Sequence, residues 1–303
     1  MAGVKDFRPS KDIPSLRGKV VFVTRGTAGL GRISVLELAK HDPEHIYFSG
    51  RKQEAAETVI QSVKRELPGV QLTFLNLDLS SITSVNTVLQ QFHPGRLDIL
   101  MCNAGIMAVP PGLSADGWEI QFATNHLGHA ALIKKLLPVM LKTADAPDSD
   151  VRIVLNTSDG WRGHSKEGIN FATLNTTQEA FLGHWFRYAQ SKIADIIYAQ
   201  ELARRYPSIK TVTIHPGVIV TGLVSSLGFW DRFLIYSTNI GRRSSIEEGS
   251  YNQLYLAAGM KREEIINGAT YYPVGVLKEL DDVAKSEKLR TELWEWTEKA
   301  LED

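Results

Sequence analysis

Cysteine is almost missing from this chain: Cys102 is the single one among 303 residues. No intramolecular disulfide can form, which fits a reducing compartment. Cys102 lies inside the apolar run DILMCNAG, so a buried small hydrophobe is expected there rather than a nucleophile. An excess of charge is missing too. Lys plus Arg and Asp plus Glu number 34 each, with no basic stripe, so no nucleic-acid partner is expected. No run of about 18 uninterrupted apolar residues exists, so no transmembrane segment is expected. The opening stretch, MAGVKDFRPSKDIPSLRGK, carries charges but no apolar core of signal-peptide length. These absences point to a cytoplasmic protein. Repeats, low-complexity tracts and clear linkers are absent as well, so residues 1–303 are expected to form one domain.

What is present is an alternation of apolar β-type runs with amphipathic stretches. The runs fall at 19–24, 45–50, 71–79, 97–105, 151–158, 210–217 and 268–275. Helices are expected near 30–41, 52–66, 82–91, 114–142, 188–206, 245–258 and 286–301. Several runs are near-continuous in Val, Ile and Leu, which is how strands covered on both faces read. The alternation predicts an α/β fold with a parallel, doubly wound sheet. Hydrophobic residues make up 43% and charged residues 22%, enough for a substantial core. Ser245 and Glu248, three apart, predict a capping box at one helix start.

The first run opens into VVFVTRGTAGLGRIS, Val20 to Ser34. Gly26, Gly29 and Gly31 stand between a strand and a helix. A helix N-terminus offers unpaired N–H groups, and glycines let a diphosphate approach the backbone closely. Thr24, Arg25, Gly26, Gly29, Leu30 and Gly31 are therefore candidate nucleotide contacts. The second run ends in FSGRK, with Arg51 and Lys52 and no carboxylate just before them. An acid at that place would accept from a ribose 2′-hydroxyl, whereas arginine suits a 2′-phosphate, so NADP(H) is expected rather than NAD.

Tyr188 and Lys192, in RYAQSK, are spaced i, i+4 and share one helix face. A phenol with a pKa of about 10 is a poor acid–base group at neutral pH, and a lysine cation one turn away stabilises the phenolate. Such a pair can serve an alcohol–ketone interconversion. Ser158 ends the strand-like IVLNTSDG at the edge where open α/β sheets bind ligands. No Gly-x-Ser-x-Gly elbow surrounds it, which counts against a serine hydrolase.

The glycine turn, LDLS, CNAG, ATNHLGH, NTS, YAQSK and HPGVIVT follow one another in an order that resembles the short-chain dehydrogenase/reductase family over nearly the whole chain. That resemblance implies a Rossmann fold with seven strands. It implies Tyr188 as proton donor or acceptor, Lys192 as the group that lowers its pKa and holds the nicotinamide ribose, and Ser158 as the binder of the reacting oxygen. It gives Asn125 a water that links Lys192 to solvent. Asp78 and Leu79 meet the adenine, and Asn103, Ala104 and Gly105 line the cofactor. Pro216 and Gly217 shape the nicotinamide loop, where the Ile219 backbone meets the carboxamide and Thr221 the diphosphate. The thirty positions between Ser158 and Tyr188, with ELARRY and IEEGSYNQLYLA, resemble the retinol-dehydrogenase-like branch and its fungal relatives. That branch implies NADP(H) and lipophilic or aromatic carbonyls and alcohols. It leaves open a homodimer through the helices at 114–142 and 188–206.

The stretch at about 222–244 corresponds to the family's mobile lid over the substrate. It is apolar and aromatic, with Leu223, Leu227, Phe229, Trp230, Phe233, Leu234 and Tyr236, and reads equally as a core or partner-binding helix. His126 and His129 lack the further ligands of a zinc site, so no metal is expected. Arg25 departs from the family, which has glycine at the first position of Thr-Gly-x-x-x-Gly-x-Gly. Its guanidinium is expected to point out toward the ribose and join Arg51 and Lys52 around a 2′-phosphate. The alternative is a cofactor-binding regulator or degenerate relative, with Arg25 as an obstruction.

Overall fold

The computed structural model describes residues 6–92, 94–180, 182–219 and 243–302. Its centre is an eight-stranded sheet. The strands are β1 (Val20–Val23), β2 (His45–Gly50), β3 (Leu72–Asn76), β4 (Ile99–Cys102), β5 (Arg152–Asn156), β6 (Lys210–Ile214), β9 (Thr270–Tyr272) and β10 (Val276–Leu277). Their spatial order is β10-β9-β6-β5-β4-β1-β2-β3. All neighbours are parallel except β10, which runs antiparallel to β9. Seven parallel strands were expected from the sequence. Those seven are present, and an eighth, antiparallel β10 follows them because the chain turns back through Pro273–Gly275, with Gly275 at φ 69°. Among the described residues, β7 (Val218–Ile219) and β8 (Arg243–Ser244) form a separate parallel pair.

Burial follows the alternation of side chains along each strand. In β1, Val20 and Phe22 enter one core, and Val21 and Val23 the other. All four are buried, which explains the unbroken apolar run. The first core packs under helices α4 (Ile82–Gln91), α6 (Gly128–Ala144), α7 (Gly183–Arg205) and α9 (Glu287–Ala300). The second packs under α2 (Gly29–Ala39), α3 (Gln53–Glu66) and α8 (Ile246–Leu254). A fully buried side chain such as Phe22 contributes roughly 2–3 kcal/mol by leaving water.

Helix boundaries shift where local signals are weak. The stretch 114–119 is a turn, and helix begins at α5 (Ile120–Phe122), with Glu119 accepting from Phe122 N–H. A π-helical stretch, Ala123–Leu127, then leads into α6. The helix expected from 188 starts five residues earlier, at Gly183. The capping box is present: Ser245 Oγ accepts from Glu248 N–H, and Glu248 returns the bond. The insert between Ser158 and Tyr188 is held to the C-terminal segment. Trp161 donates to the Tyr272 hydroxyl, and His164 Nε2 lies 3.0 Å from Asp281.

Strand order reverses between β1 and β4. The turns after these two strands therefore sit side by side at the carboxyl edge, where doubly wound sheets bind ligands.

Candidate active site

The glycine turn is built by close packing. Gly26 donates to Ser49 O at 2.8 Å, and a Cβ on Gly26 would stand 2.7 Å from Phe48 Cβ. A Cβ on Gly31 would stand 2.2 Å from the Arg25 carbonyl oxygen, so nothing larger than glycine fits. Gly29 has φ 55° and open space where a side chain would be. Helix α2 follows with no capping side chain from Ala28 and no acid in its first turn. Its first N–H groups are left for an external anion, and this cradle fits a diphosphate. Leu30 packs instead against α8, where Gln253 donates to its carbonyl.

Thr24 is fully buried and acts as a strut. Its hydroxyl donates to Met101 O, accepts from Ala104 N–H and lies 3.0 Å from His129 Nε2. Asn103 ties the same two turns together, donating to Thr24 O and accepting from Asn156 Nδ2. Asp78 turns back onto Ser80, and Leu79 is buried against Gly128 of α6. Gly217 has φ 92°, beside Pro216 in the loop after β6. Ile219 pairs with Ser244 and packs on Gly249. Thr221 and most of the expected lid lie outside the described residues.

Arg25 does not simply point outward, as the sequence reading expected. Its backbone holds φ 52°, and its guanidinium donates across the turn to the Gly105 carbonyl. This bond orients the side chain over the cleft, within electrostatic reach of Arg51. Burial first, and Arg51 second, lower its pKa from the ordinary value. Arg51 and Lys52 are exposed, and among the described residues neither forms an ion pair. The structure thus gathers cationic groups beside the glycine turn, and among the described residues none of the three is ion-paired with a carboxylate.

Across the cleft, Ser158 follows β5 and accepts from Gly160 N–H at 3.2 Å. The Tyr188 ring stands beside it, both groups bordering Gly160. Gly160 leaves the room this requires, since a Cβ there would stand 2.9 Å from Tyr188 Cε1. Lys192 lies one turn further along α7 and is buried. Its Nζ donates to Asn156 O at 2.8 Å and to Asp195 Oδ2 at 2.9 Å. Burial raises the Tyr188 pKa; Lys192 and the neighbouring Ser158 hydroxyl pull it down, and the net direction is upward. For Lys192, burial works downward but Asp195 and Tyr188 prevail, so its pKa is raised and the ammonium persists.

Asn125 sits in the π-helical stretch with its amide fully engaged. It accepts from Ile106 N–H at 2.8 Å and donates to Ile106 O and Ser191 Oγ. Its carbonyl accepts from His129 Nδ1 at 2.8 Å. A Cβ on Gly105 would lie 3.3 Å from Asn125 Oδ1 and 3.7 Å from Lys192 Nζ, so both groups border that glycine. His126 and His129 are buried and neutral, pushed down to about 3 and about 4 chiefly by desolvation. No metal-binding cluster exists among the described residues. Cys102 is buried, with its thiol pushed up by burial.

Sequence reasoning missed Asp195 and Asn156. Asp195 follows Tyr188 by seven positions and Lys192 by three, so its helical spacing placed it on the same face.

A cleft with a glycine cradle at the strand-order reversal, facing a Ser–Tyr–Lys constellation, is that of a nicotinamide-dependent oxidoreductase. The short chain dehydrogenase family model matches residues 19–159. The chain is 35% identical over 303 residues to the short-chain dehydrogenase/reductase drtF of Aspergillus calidoustus, covering 95% of each. It is 30% identical over 321 residues to human retinol dehydrogenase 14, covering 96% of this chain and 90% of that protein. A crystal structure of an uncharacterized protein from Mycobacterium Paratuberculosis superposes with a TM-score of 0.72 and 26% identity, covering 99% and 98% of the two chains. NADPH-bound carbonyl reductase from chicken fatty liver, at 19% identity and TM-score 0.62 over 90% and 98%, shares the fold. The chain belongs to the short-chain dehydrogenase/reductase family. Within it, its full-length likeness to fungal members and to retinol dehydrogenase 14 assigns it to the retinol-dehydrogenase-like branch.

Proposed function

We propose that this protein is an NADP(H)-dependent oxidoreductase that interconverts a ketone or aldehyde and an alcohol on a lipophilic or aromatic small molecule. The observation that carries this reading is the placing of Ser158 and Tyr188 side by side at Gly160, one helical turn from a buried, charged Lys192. In the reducing direction Ser158 and Tyr188 hold the carbonyl oxygen. The cofactor, when bound, supplies the hydride. Tyr188 gives its proton to the oxygen as the carbonyl carbon gains the hydride, and a proton from solvent restores the phenol. Lys192 stabilises the transient phenolate. In the oxidising direction the same groups work in reverse.

The choice of NADP(H) rests on Arg25, Arg51 and Lys52 and on the lack of a carboxylate at the end of β2. The Gly29–Gly31 backbone and Gly105 would hold the diphosphate and ribose side of that cofactor. A lipophilic substrate fits the exposed Leu182 and Phe186 at the start of α7 and the apolar 222–244 stretch. The name of retinol dehydrogenase 14 points to a lipophilic alcohol as well.

A second reading has one observation in its favour: Arg25 bridges the turn to Gly105 and could exclude the nucleotide. The protein would then be a regulator with little turnover. A screen of aromatic and lipophilic ketones, followed by loss of nicotinamide absorbance with NADPH or NADH, tests the proposal. NADPH oxidation with at least one such ketone supports it. Absence of nucleotide binding at millimolar concentration overturns it in favour of the second reading.

A further inference from the structure

Asp195 is a carboxylate enclosed in the interior beside the proposed proton donor. It is buried on α7, with Oδ2 held 2.9 Å from Lys192 Nζ. Its Oδ1 has no hydrogen-bond partner among the described residues. His126 Nδ1 stands 4.0 Å from Oδ1, too far for a hydrogen bond. His126 instead engages Thr297 of α9 through Nε2 and stays neutral. The groups that face this carboxylate are Lys192 and Tyr188 on its own helix, His126 from the neighbouring π-helical stretch, and Cys102 from β4. Of these, Lys192 alone carries a charge. A buried, half-satisfied carboxylate is unfavourable by itself, so its retention beside the lysine calls for a role.

We infer that Asp195 is a positioning residue that fixes Lys192 and partly neutralises its charge, so that Tyr188 holds its proton to higher pH than Lys192 alone would allow. This rests on the reading of Tyr188 as proton donor. Lys192 has three donors. One goes to Asn156 O and one to Asp195, which leaves one for the cofactor ribose or the phenolate. The ammonium is thereby aimed before any cofactor arrives. Because the Lys192–Asp195 pair is close to neutral in sum, the pull on the Tyr188 proton is weakened. The site is biased toward a protonated phenol, which is the form that reduction consumes.

The test is the isosteric Asp195→Asn, compared with wild type in the pH profiles of kcat for alcohol oxidation and carbonyl reduction. Asp195 and Tyr188 are about two helical turns apart, and with an effective dielectric of ~20 the lost charge shifts the Tyr188 midpoint by about one pH unit. The oxidation limb and the high-pH fall of reduction should both move to lower pH by that amount. Unmoved midpoints, with only kcat or Tm reduced, overturn the inference and leave Asp195 a structural residue. Should that variant fail to fold, Asp195→Ser is compared with wild type in the same way, its Tyr188 phenol titrated without cofactor by ultraviolet difference. A midpoint moved to lower pH supports the inference and an unmoved one overturns it. Full turnover by Tyr188→Phe, in contrast, overturns the proposed function itself.

Discussion

Replacing Arg25 with glycine separates what this residue does for the fold from what it does for the nucleotide. At φ 52° a side chain carries a backbone penalty of about 1–2 kcal/mol, which glycine removes. The variant loses the bond from the guanidinium to the Gly105 carbonyl, of a kind that contributes about 1.5–3 kcal/mol. Repulsion from Arg51 and the burial of the charge offset part of that. The net change in stability should stay within about 1 kcal/mol, or no more than about 3 °C in Tm for a chain of this size. The effect on nucleotide choice should be larger. A charge-assisted contact to a 2′-phosphate contributes roughly 1.5–3 kcal/mol, so NADPH affinity should fall about 10- to 100-fold. NADH, which lacks that phosphate, should bind almost as before. Fluorescence titration of both nucleotides, with thermal melts alongside, reads the two effects separately. Equal tightening of NADPH and NADH would refute the reasoning, because Arg25 would then be an obstruction.

Gly160→Ala should lower kcat about 10- to 100-fold with NADPH affinity little changed, since displacement of a reacting group by ~1 Å can cost that much. The added Cβ, 2.9 Å from Tyr188 Cε1, must push the ring away from Ser158, and parallel kinetics and nucleotide titration check this. Acid should destabilise the protein before the ordinary carboxylate range is reached. His126, His129 and His215 are held down to about 3, about 4 and about 4 by burial, so unfolding at pH 5 takes up protons on all three. Asp195, pushed up to about 6 by burial, works the other way, because its folded form already holds a proton at pH 5. The balance is an uptake of about two protons at pH 5, so stability should fall by about 2.5 kcal/mol per pH unit there as pH drops. Thermal or urea unfolding between pH 7 and pH 5 measures this slope, and a flat profile would contradict the buried, neutral histidines.

Much of the site was legible because its parts recur at fixed places on an alternating chain. Gly26, Gly29 and Gly31 read correctly as a strand-to-helix turn, since packing at 2.2–2.7 Å permits no side chain at Gly26 or Gly31. Tyr188 and Lys192 read as one helix face, and the strand before Ser158 ends where expected. Other features depend on tertiary partners that a linear pattern does not display. Helix α7 starts at Gly183 without a capping side chain, so its first turn gave no signal. The turn at 114–119 is held by Ser114 with Trp118 and by Glu119 with Leu174, contacts that no helical periodicity reveals. Asp195 looks like any i, i+3 partner of a surface lysine until its burial is known. The bond from Arg25 to the Gly105 carbonyl was not legible because that acceptor lies 80 positions away in sequence.

The central claim is that Tyr188 moves the proton while the cofactor site stands independently of it. Tyr188→Phe, assayed with NADPH and a ketone that wild type reduces, tests this most directly. Loss of a general acid should lower kcat by about 10²–10⁴-fold, while NADPH affinity from fluorescence titration stays within about threefold. Turnover within about tenfold of wild type, with NADPH still bound, would contradict the account, because it falls below the contribution expected of a general acid.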